Sequence, residues 1–104
     1  MMFIFDSKGR HIANEDFGRL HALTGQNIGH YLPNYNIFID MDGHYLGELI
    51  YGNRLLYKII NDYEDRYFGN HGNYGNIGNF GNSAFVGSMG KIAGFRDIEI
   101  EKLK

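Results

Sequence analysis

The sequence contains no cysteine, no tryptophan and a single proline among its 104 residues. Without cysteine, disulfide bonds, thiolate metal sites and cysteine nucleophiles are excluded. Ten Lys and Arg stand against twelve Asp and Glu, so there is no excess of positive charge for binding nucleic acid or an anionic membrane. No apolar run approaches the roughly 18 residues of a membrane span, and the N-terminal residues lack the basic segment of a signal peptide. We therefore expect a cytoplasmic protein that binds neither nucleic acid nor a membrane.

Glycine and aromatic residues are abundant instead, with 15 Gly, 8 Tyr and 8 Phe. Glycine tolerates the positive φ angles of tight turns, whereas Phe, Tyr and Ile favour strands. A chain of this length can bury one modest hydrophobic core. The composition therefore predicts a single all-β domain over residues 1–104, in which short antiparallel hairpins are joined by tight turns.

One pattern recurs along the chain: three apolar residues, Asp or a small residue, two further residues, Gly, two further residues, and then an apolar residue followed by a small one. It occurs over residues 3–13, 37–47 and 84–94, with a weaker copy around Gly25. The Asp accepts hydrogen bonds from the turn, and the Gly supplies the positive φ that closes it. Each copy therefore predicts a β-hairpin, and Gly52-Asn53 predicts another between residues 49–51 and 55–57.

Residues 18–32, together with residues 36–57, resemble the bacterial four-fold β-flower family. The resemblance rests on the succession of strand, Gly, apolar-small pair and strand, and on the turn that begins at Asp42-Gly43-His44. It covers roughly residues 1–58 and 83–100. It implies four short β-units arranged with pseudo-four-fold symmetry around an axis, and it implies no catalytic residues. The chain departs from the family pattern by an insertion between Tyr57 and Ser83.

This insertion contains five Gly-Asn-x triplets, at about residues 69–82. A period of three matches neither an α-helix nor a strand, but it does match a left-handed extended helix of the polyproline II type. On such a helix one edge carries the third residues of the triplets, among them His71, Tyr74, Ile77 and Phe80. These four side chains are the candidate interaction residues.

Three structures remain open for the triplet segment. Its Gly and Asn content is typical of a flexible linker. The regular spacing of Tyr, Ile and Phe favours an ordered segment that packs through its aromatic edge, either on its own domain or on sister subunits. Asparagine ladders also suit association as cross-β structure.

No combination of residues in the sequence predicts catalysis. There is no G-x-S-x-G elbow, no pair of His at the spacing of a zinc protease, and no glycine loop for phosphates. The acidic turn at residues 40–43 lacks the remaining ligands of a calcium loop. We therefore predict a protein that is not an enzyme and carries no cofactor.

The leading hypothesis is a non-enzymatic interaction or assembly module that forms a homo-oligomer through its triplets. The alternative is a small-ligand or metal-binding protein that uses the turn residues His11, His44 and Asp42 at one end of the array. The position of the aromatic edge separates the two hypotheses. Burial between subunits would support assembly, whereas folding back over a pocket would support ligand binding.

Overall fold

The computed structural model describes all 104 residues and is almost entirely β-structure. Its elements are β1 (Met2–Phe5), β2 (His11–Asp16), β3 (Arg19–His21), β4 (Asn27–Leu32), β5 (Ile37–Asp40), β6 (Tyr45–Ile50), β7 (Arg54–Lys58), β8 (Phe95–Asp97) and a 3-10 helix (Ile100–Leu103). Consecutive strands pair antiparallel, and β1 also pairs in parallel with β7, so β1–β7 close into a barrel. The all-β prediction is confirmed. The terminal helix lacks the length and apolar character that crossing a membrane requires.

Three hairpins of the barrel, β1–β2, β3–β4 and β5–β6, are built in the same way. In each, the turn glycine donates its N–H to the carbonyl three residues earlier, at 2.8–3.2 Å: Gly9 to Asp6, Gly25 to Ala22 and Gly43 to Asp40. The carboxylates of Asp6 and Asp40 each accept two further backbone N–H groups of their turn. A register shift precedes every one of these turns. The first two copies of the sequence pattern, and the weaker copy around Gly25, therefore form hairpins as predicted.

The third copy of the pattern, residues 84–94, does not form a hairpin, and the prediction there is wrong. These residues contain no strand, and the only strand after β7 is β8, which pairs with β7. The copy has Gly87 where two of the others have Asp, so no carboxylate is available to hold the turn. The Gly87 carbonyl instead accepts a hydrogen bond from Nη2 of Arg54 at 2.7 Å.

The barrel closes at a narrow seam between β1 and β7. A single residue pair, Phe5 and Arg54, joins the two strands in parallel. The buried Arg54 side chain donates to the carbonyls of Asp6 and Ser7, at 3.2 and 3.4 Å. Next to it, Asp97 of β8 accepts the N–H and the hydroxyl of Ser7, at 2.8 and 2.9 Å. The seam therefore depends on two charged side chains rather than on a long ladder of backbone bonds.

Each of the three hairpins also places a large apolar residue opposite a small one. The register pairs are Ile4 with Ala13, Leu20 with Gly29, and Phe38 with Gly47. A Cβ on Gly29 would overlap the Ile39 carbonyl oxygen. A Cβ on Gly47 would lie 2.7 Å from the carbonyl oxygen of Leu56. The small residue that ends the sequence pattern thus lets neighbouring strands approach closely.

The connection between β7 and β8, residues 59–94, crosses these three turns and is called the strap. It contains no strand. At each crossing a strap N–H donates to the carbonyl of the turn glycine, at 2.8–3.0 Å: Phe68 to Gly43, Ile77 to Gly25 and Val86 to Gly9. The donors are spaced nine residues apart, which is three times the triplet period, although Phe68 and Val86 lie just outside the triplets. The triplet period therefore brings an equivalent residue to every turn.

Asparagine side chains accept hydrogen bonds from many of the backbone N–H groups of the triplets. The side-chain oxygens of four asparagines accept the N–H of the glycine two residues later, at 2.6–2.8 Å: Asn70, Asn73, Asn76 and Asn79. The triplet glycines have φ between +76° and +89°, whereas polyproline II requires φ near −75°. The polyproline II prediction is therefore wrong for these glycines, and the segment is a series of Asx turns.

Candidate binding groove between the barrel and the strap

The first part of the strap packs its side chains against β3 and β4. The guanidinium of Arg19 lies over Tyr74, with its Cζ 3.7 Å from the ring centre. The ring of His30 lies 5.6 Å from that of Tyr74 and 5.7 Å from that of His71. His30 is buried and donates from Nε2 to the Gly72 carbonyl at 2.9 Å. Two residues of the predicted aromatic edge are thus packed on the chain's own barrel.

An open cleft of about 300 Å³ lies beside these contacts. Besides Gly18, its lining consists of Phe17, Arg19, His30, Tyr31, Pro33, His71 and Tyr74. Phe17 occupies the β2–β3 turn with φ +50° and is 87% exposed. A bulky residue in this backbone region is strained, and such strain is enriched at functional sites. Tyr51 has the same backbone geometry in the β6–β7 turn, with φ +52°, so the exposed ring of Phe17 contributes to the cleft by its position and not by its strain.

A second cleft, of about 370 Å³, adjoins the first and shares Pro33 and His71 with it. Here the guanidinium of Arg66 lies near the rings of Tyr35 and Phe68, with Cζ 5.2 and 4.8 Å from the ring centres. The two rings meet edge to face at 5.2 Å. The two clefts together are called the groove. Each half of the groove combines an arginine with aromatic rings.

The groove is cationic, although the chain as a whole carries a formal net charge of −2. No Asp or Glu lines either half. The three ion pairs of the structure involve neither Arg19 nor Arg66. Asp16 is the cross-strand partner of Arg19, but its carboxylate lies 3.9 Å from the N-terminal ammonium. Both groove arginines are therefore free of a carboxylate partner.

Acidification is expected to destabilise the strap contact at His30. Burial lowers the pKa of His30 below 6.5, and the bond to the Gly72 carbonyl opposes this only in part. Because the folded pKa lies below the unfolded one, this contribution to stability is complete above about pH 6.5 and is lost as the pH falls through the folded pKa. Urea unfolding at several pH values should show this loss in the wild type. The loss should be smaller in His30→Gln, which keeps a donor but does not titrate; equal losses would contradict the assignment.

The other two residues of the predicted edge lie outside the groove. Ile77 is half-buried at the β3–β4 turn, where its N–H is bonded to the Gly25 carbonyl at 3.0 Å. Phe80 is 52% exposed. The four side chains therefore do not form one continuous stripe, because the strap curves around the end of the barrel from turn to turn.

The alternative site, at His11, His44 and Asp42, is spread over separate parts of the surface. His11 is buried; its Nε2 donates to the side-chain oxygen of Asn14 at 2.7 Å, and its Nδ1 accepts the N–H of Ser83 at 3.0 Å. Both ring nitrogens therefore have partners within the chain. His44 and Asp42 are exposed in the β5–β6 turn. No cleft contains His11 with either of them, and no cluster of three His, Asp or Glu side chains is placed to hold a metal.

Sequence reasoning did not identify Phe17, Arg19, His30 or Arg66 as site residues. Phe17, Arg19 and His30 lie close together on the barrel, where Arg19 is the cross-strand partner of His30, but Arg66 and the rings of the strap join them only because the strap crosses the barrel. One signal was available: Phe17 precedes Gly18 in a two-residue hairpin turn, where Asn is the preferred residue. An aromatic residue at that position is unfavourable for the turn itself, but Tyr51 before Gly52 repeats the pattern outside the groove, so this signal could not single out the site.

Two larger clefts lie elsewhere on the molecule. One, of about 440 Å³, adjoins β8, and its only carboxylate, Asp97, closes the barrel. The other, of about 400 Å³, lies beside the 3-10 helix and includes Ile100 and Leu103. Neither has more than one aromatic side chain in its lining. The groove is therefore the stronger candidate.

Comparisons of the chain with models of protein families, with curated proteins and with solved structures found no match. The chemistry of the groove is therefore the main indication of function. That chemistry consists of stacked arginines, open aromatic faces and no competing carboxylate.

Proposed function

We propose that the chain is a non-enzymatic binding module whose groove recognises a ligand that is both aromatic and anionic. The observation that carries the proposal is the stack of Arg19 on Tyr74, beside the buried His30, in a cleft without carboxylates. The strap is folded back over its own barrel. This arrangement favours ligand binding over burial of the aromatic edge between subunits.

Aromatic surface is available in both halves of the groove. Phe17 and Tyr74 in the first half are 87% and 53% exposed, and Tyr67 in the second half is 67% exposed. A flat aromatic ligand gains roughly 0.5–1.5 kcal/mol per ring pair beyond the burial of its area. The rings therefore supply the apolar part of the recognition.

The arginines recognise the anionic part of the ligand. A guanidinium that stacks on a ring through its face keeps its edge N–H groups available for a carboxylate or a phosphate. Because Arg19 and Arg66 have no carboxylate partner, an incoming anion does not have to displace one. Aromatic stacking and charge pairing can then be made by the same ligand.

Titration with benzoate, followed by amide NMR, tests this proposal. We expect the largest shifts at the amides of His71 and Tyr74, and roughly several-fold weaker binding to Arg19→Gln. Benzyl alcohol, which lacks the charge, and cyclohexanecarboxylate, which lacks the ring, should both bind less well. The control is Arg96→Gln, which removes an arginine stacked on Tyr57 outside the groove and should bind like the wild type. Shifts scattered over the whole surface, or none in the groove, would refute the proposal.

Self-association is a second candidate function, supported by apolar side chains that the strap leaves exposed. Phe80 and Phe85 are 52% and 72% exposed, on either side of the Ser83 anchor to His11. An interface between copies would bury both rings. Under this candidate, native mass spectrometry should give a multiple of the chain mass, and the double variant Phe80→Ser, Phe85→Ser should give the monomer. A monomeric wild type would contradict it.

We also propose that the chain is related to the four-fold β-flower family and that its hairpins form a pseudo-symmetric array. Its support comes from the three hairpins, which share one turn hydrogen bond, one register shift and one pairing of a large with a small residue. These common features are what a repeated β-unit requires.

A further inference from the structure

We infer that the groove binds nucleotide units, each with its base against an aromatic ring and its phosphate on the adjacent arginine. The inference rests on the proposed function and names the class of ligand. A nucleotide combines a flat heteroaromatic ring with a phosphate group, which are the two features that the groove can recognise. The units can come from a single strand of nucleic acid or from free nucleotides, and the experiment below separates these sources.

The two halves of the groove repeat the same combination of side chains. In the first half Arg19 lies over Tyr74, and in the second Arg66 lies near Tyr35. The halves adjoin at Pro33 and share the imidazole of His71. Successive nucleotides of a strand also repeat a base and a phosphate, so two like subsites side by side suit consecutive units.

The polar groups of the groove also suit bases better than sugars. Asn34 lines the second half, and its side-chain amide offers both donors and an acceptor to a base edge. Acidic oligosaccharides carry the same charge as nucleotides but present many hydroxyl donors, and carboxylate acceptors for such donors are absent from the lining. The stacked arginine can also extend a stack of rings through its planar guanidinium.

The sequence by itself predicts the opposite, because the net charge is negative and no Lys or Arg lies between Tyr67 and Phe85. The fold changes the local balance of charge. Arg19 comes from β3 and Arg66 from the start of the strap, and both lie beside the aromatic residues of the groove. The acidic residues that make the chain negative lie outside its lining.

Fluorescence anisotropy with a labelled oligothymidylate of roughly ten nucleotides tests the inference, with unlabelled AMP as competitor. We expect Tyr74→Leu to weaken binding about ten-fold or more, through lost stacking. We expect Arg19→Gln to weaken binding several-fold and to lower the salt slope by about 0.7 between roughly 50 and 200 mM salt. Arg96→Gln is the matched control and should leave both affinity and salt slope unchanged.

Each outcome has a defined meaning. Tighter binding of the oligonucleotide than of AMP supports a strand as the source, and equal binding supports a free nucleotide. Equal affinity for an acidic oligosaccharide such as polygalacturonate, or no loss of binding in Tyr74→Leu, overturns the inference. If benzoate shifts the groove amides while neither AMP nor the oligonucleotide does, the inference fails and the proposed function stands. If benzoate also fails, both fail.

Discussion

Replacing Gly25 with alanine is expected to lower the free energy of unfolding by about 2–4 kcal/mol and to release the strap from the β3–β4 turn. A Cβ at this position would overlap the Gly78 carbonyl oxygen and the side-chain oxygen of Asn76, both of which belong to the strap. The backbone of Gly25 also has φ +98°. Urea unfolding measures the loss of stability. Hydrogen exchange at the amide of Ile77, which is bonded to the Gly25 carbonyl, measures the release.

The matched control is Gly18→Ala. Gly18 has a similar φ of +81°, but a Cβ there would meet no atom within 4 Å. It should therefore show only the cost of the backbone conformation, about 1 kcal/mol, with no change in exchange at Ile77. If the two variants lose the same stability, close packing of the strap on the turn is not what requires glycine at position 25.

Replacing Arg54 with methionine is expected to destabilise the protein by about 3–4 kcal/mol, because it opens the seam of the barrel. The guanidinium donates to three carbonyls, of Asp6 and Ser7 in the β1–β2 turn and of Gly87 in the strap. Methionine fills a similar volume, but it leaves the Gly87 carbonyl without a donor and removes the second donor of the Asp6 and Ser7 carbonyls, which keep the N–H groups of Gly9 and Met89. Since only one residue pair joins β1 to β7, few backbone bonds remain to hold the seam. Thermal and urea unfolding measure the effect.

Arg96→Met is the control for this prediction. Arg96 is exposed, and its main side-chain contact is the stack on Tyr57, 4.2 Å from its ring centre. Its loss should cost less than about 1 kcal/mol. Arg54→Lys should fall between the two, because an ammonium keeps the charge but cannot reach three carbonyls with the geometry of a planar fork. Stability of Arg54→Met close to that of the wild type would show that the seam is held by other contacts.

The strap variants also bear on function. Tyr74 and His71 line the groove only while the strap lies on the barrel, and the N–H of Tyr74 is bonded to the side-chain oxygen of Asn27 at 3.0 Å. A strap released by Gly25→Ala should therefore bind a groove ligand more weakly. A pocket formed by the barrel alone would bind its ligand equally well in Gly25→Ala and in the wild type.

Several features of the protein follow from the sequence alone. Glycine, asparagine and aromatic residues predict short strands and tight turns, and the spacing from Asp6 to Gly9 and from Asp40 to Gly43 specifies two turns through local hydrogen bonds. Such bonds form within a few residues, so local chemistry is sufficient to predict them. The same pattern predicts a hairpin wrongly at residues 84–94. This copy lacks the Asp, and its backbone is hydrogen-bonded to the barrel instead.

The closure of the barrel, the course of the strap and the groove depend on tertiary structure. The sequence shows the triplet period but not its role, because a spacing of nine residues matches the distance between neighbouring turns only once the barrel has formed. Arg54 carries no mark in the sequence that distinguishes it from a surface arginine. The groove lies between β3 and residues 66–74 of the strap. Only the fold brings its arginines and aromatic rings together at a place that no carboxylate lines. Local bonds therefore set the hairpins, while long-range packing set the charge and shape of the candidate site.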